Sequence, residues 1–171
     1  MSLLQIYTGD GKGKTTAAFG LALRAAGHGW RVLIIQFMKG DPGYGEIVAA
    51  QHVPSLEVQQ FGLPTFVERG NPRPEDIEQA RLGMAAARAA LVDGGYRMVV
   101  LDEFNVAVDY GLVKLADALE LVDSCPATVE LVLTGRGAIK ELLERADLVS
   151  EIKCVRHPFE KGVVNRVGID H

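Results

Sequence analysis

The stretch GDGKGKTT, residues 9–16, lies between a short apolar run and a helical pattern, and this arrangement decides the fold class. The run before it, Leu3–Thr8, predicts a strand, and the alanine-rich segment from Thr15 to about Ala26 predicts a helix. Glycines at alternate positions let consecutive backbone N–H groups converge on phosphate oxygens. The N-terminus of the following helix favours an anion at the same place. The stretch therefore predicts a phosphate-binding loop.

This stretch resembles the P-loop pattern G-x-x-x-x-G-K-[ST] with one departure. Gly13, Lys14 and Thr15 match the end of the pattern, whereas Thr8 stands where the pattern has its first glycine. Lys14 brings a positive charge to the phosphates, and Thr15 offers a hydroxyl to a Mg²⁺ ion bound to them. For Lys12, a phosphate contact and exposure to solvent are both open. The predicted nucleoside triphosphate site comprises Thr8, Gly9, Asp10, Gly11, Lys12, Gly13, Lys14, Thr15 and Thr16.

Further along the chain, short apolar runs alternate with helical patterns. Strands are predicted at Val32–Phe37, before Phe61, at Met98–Leu101 and at Thr128–Leu133, with strand-like pieces near Leu148–Val155 and Val163–Ile169. A helix is predicted before the strand that ends at Phe61, and further helices are predicted over Ile77–Leu91, Leu112–Val122 and Ile139–Leu143. This alternation favours an α/β, three-layer, P-loop NTPase-like fold: a mainly parallel sheet with helices on both faces, in a single domain over residues 1–171.

Two more polar clusters follow predicted strands and would share the sheet edge where ligands bind. Asp102-Glu103 follows Met98–Leu101, the pattern of a strand whose acids bind Mg²⁺ directly or through water. In an ATPase the second acid commonly activates water, and two exposed acids at a turn are the structural alternative. Arg136 ends the next strand, where its guanidinium could bind phosphate or pair with a carboxylate. The candidate metal ligands are Thr15, Asp102 and Glu103.

The composition and the remaining residues restrict the classes of ligand and partner that the protein can have. The chain has 18 basic and 22 acidic residues and a net charge of −4, which argues against nucleic acid bound through its backbone. No apolar run approaches the ~18 residues of a membrane span, and no signal peptide is apparent. Cys125 and Cys154 fit no metal pattern and are predicted to be reduced, buried thiols of a cytoplasmic protein. An Asn-Lys-x-Asp element typical of guanine-specific GTPases is absent, which favours ATP.

Several of these segments resemble the ATP:corrinoid adenosyltransferases of vitamin B12 assembly. The similar stretches are Tyr7–Thr16, Gln36–Gly40, Leu101–Glu103, Thr134–Gly137, Ala146–Val149, His157–Phe159 and Gly168–Asp170. They occur in order from residue 7 to residue 170, so the resemblance covers nearly the whole chain. Thr8 in place of glycine belongs to that family's own loop, and makes the match more specific than one to a generic P-loop enzyme.

The resemblance implies that the chain transfers the 5′-deoxyadenosyl group of ATP to the cobalt(I) of a reduced corrinoid and releases triphosphate. Lys14, Arg136 and Glu103 would be its catalytic residues. Lys14 and Arg136 would neutralise the triphosphate leaving group, while Glu103 would assist the Mg²⁺ ion instead of activating water. The nucleotide would run through the loop in the opposite direction to that of ordinary P-loop enzymes, exposing the ribose carbon.

The resemblance also places aromatic residues under the corrin, at Phe61 and at Phe66 in the long loop Gly62–Pro74. An apolar wall that excludes an axial water would ease the reduction of cobalt(II); ordinary core packing is the alternative for either ring. An electron-donating reductase and a homodimer are implied as well. Two other hypotheses stay open: a generic Mg-ATP-dependent phosphotransferase or ATPase, and a nucleotide-dependent module that delivers corrinoid without chemistry.

Overall fold

A computed structural model describes residues 2–92, 95–163 and 166–170, and its strands form one sheet in which every pairing is parallel. The strand order is β3-β2-β4-β5-β1-β6. The strands are β1 Leu4–Thr8, β2 Val32–Phe37, β3 Leu56–Phe61, β4 Met98–Asp102, β5 Glu130–Thr134 and β6 Leu148–Glu151. The predicted α/β class with a parallel sheet is confirmed.

Helices cover both faces of this sheet. They are α1 Lys14–Gly27, α2 Gly45–Ala50, α3 Pro74–Val92, α4 Phe104–Asp109, α5 Leu115–Asp123 and α6 Lys140–Leu143, followed by a 3₁₀ turn at Pro158–Lys161. All six residues of β2 are buried, and successive side chains of a strand point to opposite faces. Leu33 and Ile35 accordingly pack with α3, whereas Val32 and Ile34 pack with α1. The continuous apolar run of β2 is therefore explained by a helix on each side.

The contact between α3 and β2 depends on a glycine. Phe37, at the end of β2, is fully buried and meets the ring of Phe104 edge-on, with ring centroids 5.3 Å apart. A Cβ atom at Gly83 of α3 would lie 2.8 Å from Cε1 of Phe37, which is too close for real atoms. Helix α3 can approach the sheet this closely because position 83 has no side chain.

The region after β4 differs from the prediction. The predicted helix over Leu112–Val122 corresponds to α5, which begins at Leu115, and the sequence did not predict α4, which precedes it; Gly111, at φ 78°, lies between the two. Helix α4 begins immediately after β4 and has six residues, too few for apolar periodicity to reveal it.

The C-terminal predictions are only partly correct. Strand β6 ends at Glu151, short of the predicted limit at Val155, and all four of its residues are exposed because it lies at the edge of the sheet. The strand predicted over 163–169 is wrong for residues 166–169. Residues 166–170 form a turn in which the Asp170 carboxylate accepts hydrogen bonds from the backbone N–H and Nε of Arg166. Residues 164 and 165 of that prediction lie outside the described residues.

The two cysteines are free thiols, as predicted, but only one of them is shielded. Cys125 is half-buried, and burial raises the pKa of its thiol to about 11. Cys154 is exposed in the segment that follows the edge strand β6, so its predicted burial is wrong. Within the described ranges, the helices are too short or too polar to cross a membrane.

We expect alanine to have opposite effects at two helical glycines. Gly83→Ala should lower the free energy of unfolding by about 1–3 kcal/mol, because its methyl group overlaps the buried Phe37 ring. Gly20→Ala in α1 should raise it by about 0.5–1 kcal/mol, since nothing lies within 4 Å of a Cβ there and alanine favours helix. Urea denaturation measures both values. A stabilising Gly83→Ala would show that α3 does not depend on this glycine.

Candidate active site

A cavity of about 1060 Å³ opens at the carboxyl ends of the central strands. Residues Asp10–Thr16, Lys39, Glu103 and Arg136 line it, so the structure brings together most of the side chains that the sequence predicted. The C-terminal turn also contributes Gly168, Ile169 and Asp170. The cavity is therefore built by segments from both ends of the chain.

The glycine loop before α1 is shaped by a contact that the sequence did not reveal. The N–H of Gly11 donates a hydrogen bond of 2.7 Å to the carbonyl of Ile152, which follows β6. A Cβ at Gly9 would lie 2.5 Å from that carbonyl oxygen, and one at Gly11 would lie 2.8 Å from it. Gly9 and Gly13 also have φ values of 95° and 118°. Gly9 and Gly11 are thus required by the neighbouring backbone as well as by any phosphate, and Gly13 is required by its own backbone conformation.

Thr8 and Gly9 belong to the backbone of the loop but lie outside the cavity lining. The hydroxyl of Thr8 accepts a hydrogen bond of 3.4 Å from the N–H of Ala138. Thr8 thus connects the end of β1 to the segment that follows Gly137.

Lys14, the first residue of α1, is folded into the loop. It is only 7% exposed, and its Nζ donates hydrogen bonds of 2.7 Å to the carbonyls of Gly9 and Gly11. Burial lowers the pKa of the Lys14 ammonium, the charge of Arg136 acts in the same direction, and nearby carboxylates act against both. The ammonium therefore lies at the centre of the loop, where it compensates the carbonyl dipoles.

Asp102, at the end of β4, is completely buried and receives four hydrogen bonds. Its Oδ1 accepts from the hydroxyls of Thr15 at 2.9 Å and Thr134 at 2.7 Å. Its Oδ2 accepts from the Gln36 amide at 3.0 Å and from the Lys39 ammonium at 2.7 Å. A carboxylate has about four lone-pair directions, so the hydrogen-bonding capacity of Asp102 is filled.

Glu103 is the acid that faces the cavity. Its backbone has φ 58°, in the left-handed region that a non-glycine residue rarely adopts, and its N–H donates to the hydroxyl of Thr134 at 3.0 Å. Burial and the neighbouring Asp102 carboxylate raise the pKa of Glu103, while Lys39 and Lys14 act in the opposite direction. The turn at this position separates the two adjacent acids: Asp102 points into the protein and Glu103 lines the cavity.

Lys39 is a site residue that the sequence analysis did not identify. It follows Met38, which has φ 59°. The backbone of Lys39 packs closely on the segment that follows β3, since a Cβ at Gly62 would lie 2.3 Å from the Lys39 nitrogen. Burial acts to lower the pKa of the Lys39 ammonium, but the carboxylates of Asp102 and Glu103 outweigh it and raise that pKa. Its position in the sequence could have identified it, because Lys39 lies just beyond the end of β2, and β2 is the neighbour of β4.

The donor set around Thr15 is suited to Mg²⁺. This ion takes oxygen ligands and usually uses one or two carboxylates together with substrate phosphates. The Thr15 hydroxyl and the Glu103 carboxylate supply such oxygens, whereas the predicted ligand Asp102 is filled by its four hydrogen bonds and orients Thr15 instead. The Lys39 ammonium already lies 3.1 Å from Thr15 Oγ1. Among the described residues no cluster of three or more His, Cys, Asp or Glu side chains could bind a metal by itself.

The remaining predicted site residues lie in different environments. Arg136 is exposed and lines the cavity, and Lys12 pairs with Asp170 and donates to the Ile169 carbonyl at 2.7 Å. Phe61 packs against the hydrophobic core, whereas Phe66 is fully exposed. Neither ring lines the cavity.

A glycine loop with lysine and threonine after β1, and an acid pair after the parallel strand β4, define a P-loop nucleotide-binding protein. The fold is similar to the solved structure of EssC (ATPases 2 and 3) from Geobacillus thermodenitrificans, with a TM-score of 0.52. The identity is 13%, over 99% of this chain and 35% of that one, so this likeness shows the fold alone.

Sequence comparisons define the family. The model of the family ATP:corrinoid adenosyltransferase BtuR/CobO/CobP matches residues 1–171. The chain is 37% identical to the corrinoid adenosyltransferase of Escherichia coli strain K12, over 99% of this chain and 85% of that protein. It is 34% identical to the corrinoid adenosyltransferase of Pseudomonas aeruginosa, over 98% and 83%. The chain belongs to the ATP:corrinoid adenosyltransferase family, as the sequence resemblance predicted, and is an ATP-dependent enzyme of corrinoid adenosylation.

We expect Glu103→Gln to stabilise the metal-free protein at neutral pH. Because burial raises the pKa of Glu103 in the folded state, losing its proton costs more there than in the unfolded chain. This penalty accumulates as the pH rises above the ordinary carboxyl value of 4.5, and glutamine avoids it. Thermal unfolding across pH 4 to 8 should show a higher Tm for the variant at neutral pH and convergence below that value.

Glu141→Gln, at an exposed position on α6, is the matched control and should show no such gain. Equal Tm values for Glu103→Gln and the native protein at neutral pH would contradict the raised pKa.

Proposed function

We propose that the site binds the triphosphate of ATP in the glycine loop so that the ribose 5′ carbon faces the cobalt(I) of a reduced corrinoid. The observation that carries this proposal is the meeting of the glycine loop, Lys14 and Arg136 in one cavity of about 1060 Å³. The substrate's cobalt is the nucleophile, so the protein need only bind, orient and stabilise the leaving group.

In the proposed reaction one bond forms and one breaks. The electron pair of cobalt(I) forms a cobalt–carbon bond to the 5′ carbon, and the 5′ carbon–oxygen bond breaks with its electron pair leaving on triphosphate. Lys14 and Arg136 compensate the negative charge of the departing triphosphate, and the loop N–H groups donate to its oxygens. Residues Asp10–Thr16 line the cavity at the place where these contacts would form.

We assign the metal to the Thr15 hydroxyl and the Glu103 carboxylate, with Asp102 supporting the site through the hydrogen bond that it accepts from Thr15. Mg²⁺ bound there with the phosphates would supply further charge neutralisation. Asp102 has its lone pairs filled by hydrogen bonds, so it orients Thr15, while Glu103 faces the cavity and is the acid available to the ion or to its water. This arrangement supports a role for Glu103 in assisting the metal and not in activating water.

We assign the corrin contact to Phe66, with Phe61 behind it in the sequence at the end of β3. The complete exposure of Phe66 supports this role, because an apolar ring gains free energy when a broad apolar surface covers it. The packing of Phe61 against the core favours a supporting role for that ring.

The wider setting is also part of the proposal. A single P-loop domain over residues 1–171 would act as a homodimer in the cytoplasm and receive its reduced corrinoid through an electron-donating reductase. The family resemblance supports the dimer and the reductase, and the free thiols support a reducing compartment.

The products of the reaction distinguish this function from ATP hydrolysis. Incubation with Mg-ATP and a chemically reduced corrinoid should release triphosphate and adenosylated corrinoid in equal amounts, which ion-exchange chromatography and the corrinoid absorption spectrum measure. ADP and phosphate formed at the same rate with or without corrinoid would favour a generic ATPase. Tight corrinoid binding with no product would favour a delivery module.

We expect Phe66→Ala to impair the corrinoid half of the reaction. The variant loses the contact between the phenyl ring and the corrin that covers it in the complex, worth about 1.5–3 kcal/mol. This loss should weaken corrinoid binding or slow the reduction-dependent rate by roughly tenfold to a hundredfold. ATP affinity should stay unchanged, because Phe66 does not line the cavity. Val155→Ala removes another fully exposed apolar side chain and is the control. Equal rates for both variants would remove Phe66 from the corrin contact.

A further inference from the structure

The ammonium of Lys39 lies between the proposed metal ligand Thr15 and the Asp102 carboxylate that orients it. Its Nζ is 3.1 Å from the hydroxyl oxygen of Thr15 and 2.7 Å from Oδ2 of Asp102. The Lys39 side chain is only 18% exposed, and the carboxylate of Asp102 is fully buried. This is a shielded ion pair and not a loose surface contact, so its geometry has consequences for any other cation.

The hydrogen bond from the Lys39 ammonium to the Thr15 hydroxyl oxygen bears most directly on metal binding. The Thr15 hydroxyl donates its own hydrogen to Asp102 Oδ1 at 2.9 Å, so its oxygen offers only lone pairs to other partners. The Lys39 ammonium donates to this oxygen. A divalent ion that binds Thr15 needs a lone pair at the same oxygen and must compete with the ammonium for it.

The backbone of Lys39 is fixed, so only its side chain can yield. The N–H of Met38 donates to the Phe61 carbonyl at 3.0 Å, and a Cβ at Gly40 would lie 2.3 Å from the Gly62 carbonyl oxygen. The lysine is therefore anchored beside Asp102 by two close backbone contacts, and displacing the ammonium requires rotation of its side chain.

Charge decides when that displacement is favourable. A bare divalent ion would have to enter beside the ammonium of Lys39, with Lys14 and Arg136 also near the cavity. A triphosphate brings several negative charges, which compensate the metal and offer the displaced ammonium new oxygens. The same lysine thus opposes the metal alone and tolerates the metal with its nucleotide.

We propose that Lys39 is a positioning residue that closes the Thr15 oxygen to free divalent cations, so that Mg²⁺ binds there only together with a triphosphate. This inference rests on the proposed metal site at Thr15. In this proposal the Lys39 side chain sets the order of binding, because Mg²⁺ enters the site already bound to its nucleotide.

Manganese binding tests the inference without any measurement of activity. Free Mn²⁺ is followed by electron paramagnetic resonance while the full chain is titrated. Because inorganic triphosphate itself binds Mn²⁺, retention of the Mn²⁺–triphosphate complex by the protein is measured separately by equilibrium dialysis. Lys39→Met should bind Mn²⁺ alone at least about tenfold more tightly than the native protein, because the competing charge is gone. With triphosphate present, the two proteins should bind Mn²⁺ within about threefold of each other.

Matched variants locate the effect. Lys140→Met removes a positive charge from an exposed pair with Glu144, away from the cavity, and should leave Mn²⁺ binding unchanged. Adding Thr15→Val to Lys39→Met should abolish the gain. Lys39→Gln, which keeps a neutral donor for Asp102, serves if the methionine variant is too unstable, and it should show the same direction.

The outcomes separate this inference from the proposed function. If the native protein binds Mn²⁺ with triphosphate but Lys39→Met gains nothing for Mn²⁺ alone, the role of Lys39 is wrong and the metal site stands. If Lys39→Met loses more than about tenfold in metal-free ATP affinity, Lys39 binds phosphate before any metal arrives and leaves the Thr15 oxygen open, so the inference is overturned. If native protein binds no Mn²⁺ at Thr15 even with triphosphate, the metal site itself fails.

Discussion

A carboxylate removed from solvent must have its charge compensated by hydrogen bonds, and Asp102 obtains four of them from four separate parts of the chain. Gln36 comes from β2, Thr134 from β5, Thr15 from the first turn of α1, and Lys39 from the segment after β2. These segments all meet at this one carboxylate. The phosphate loop, the central strands and the lysine segment are thereby fixed relative to one another.

This saturation of Asp102 also divides the work between two adjacent acids. Asp102 serves as an internal anchor, and the left-handed turn at Glu103 presents the second carboxyl to the cavity. Such a site offers donors and cations to the triphosphate that we propose it binds. That inventory suits a reaction in which the second substrate brings the attacking electron pair.

The sequence predicted those parts of the site whose chemistry is local. The loop and the acid pair are each read within a few consecutive residues, and a parallel sheet brings strand ends to one edge. Lys39 and Gln36 escaped because they meet Asp102 across 63 and 66 residues, and only the order of strands shows that they are neighbours. Helix α4 escaped because six residues carry too little periodicity, and the 163–169 strand was wrong where Asp170 closes a turn on Arg166.

The hydrogen bond from Gly11 to the Ile152 carbonyl has a consequence for synthesis on the ribosome. The two residues are 141 positions apart, so the loop is braced only after most of the polypeptide has left the exit tunnel. A nascent chain that ends at β5 has the glycines and Lys14 but lacks the backbone that holds their shape. Nucleotide binding during translation is therefore a late event, dependent on the outermost strand of the sheet.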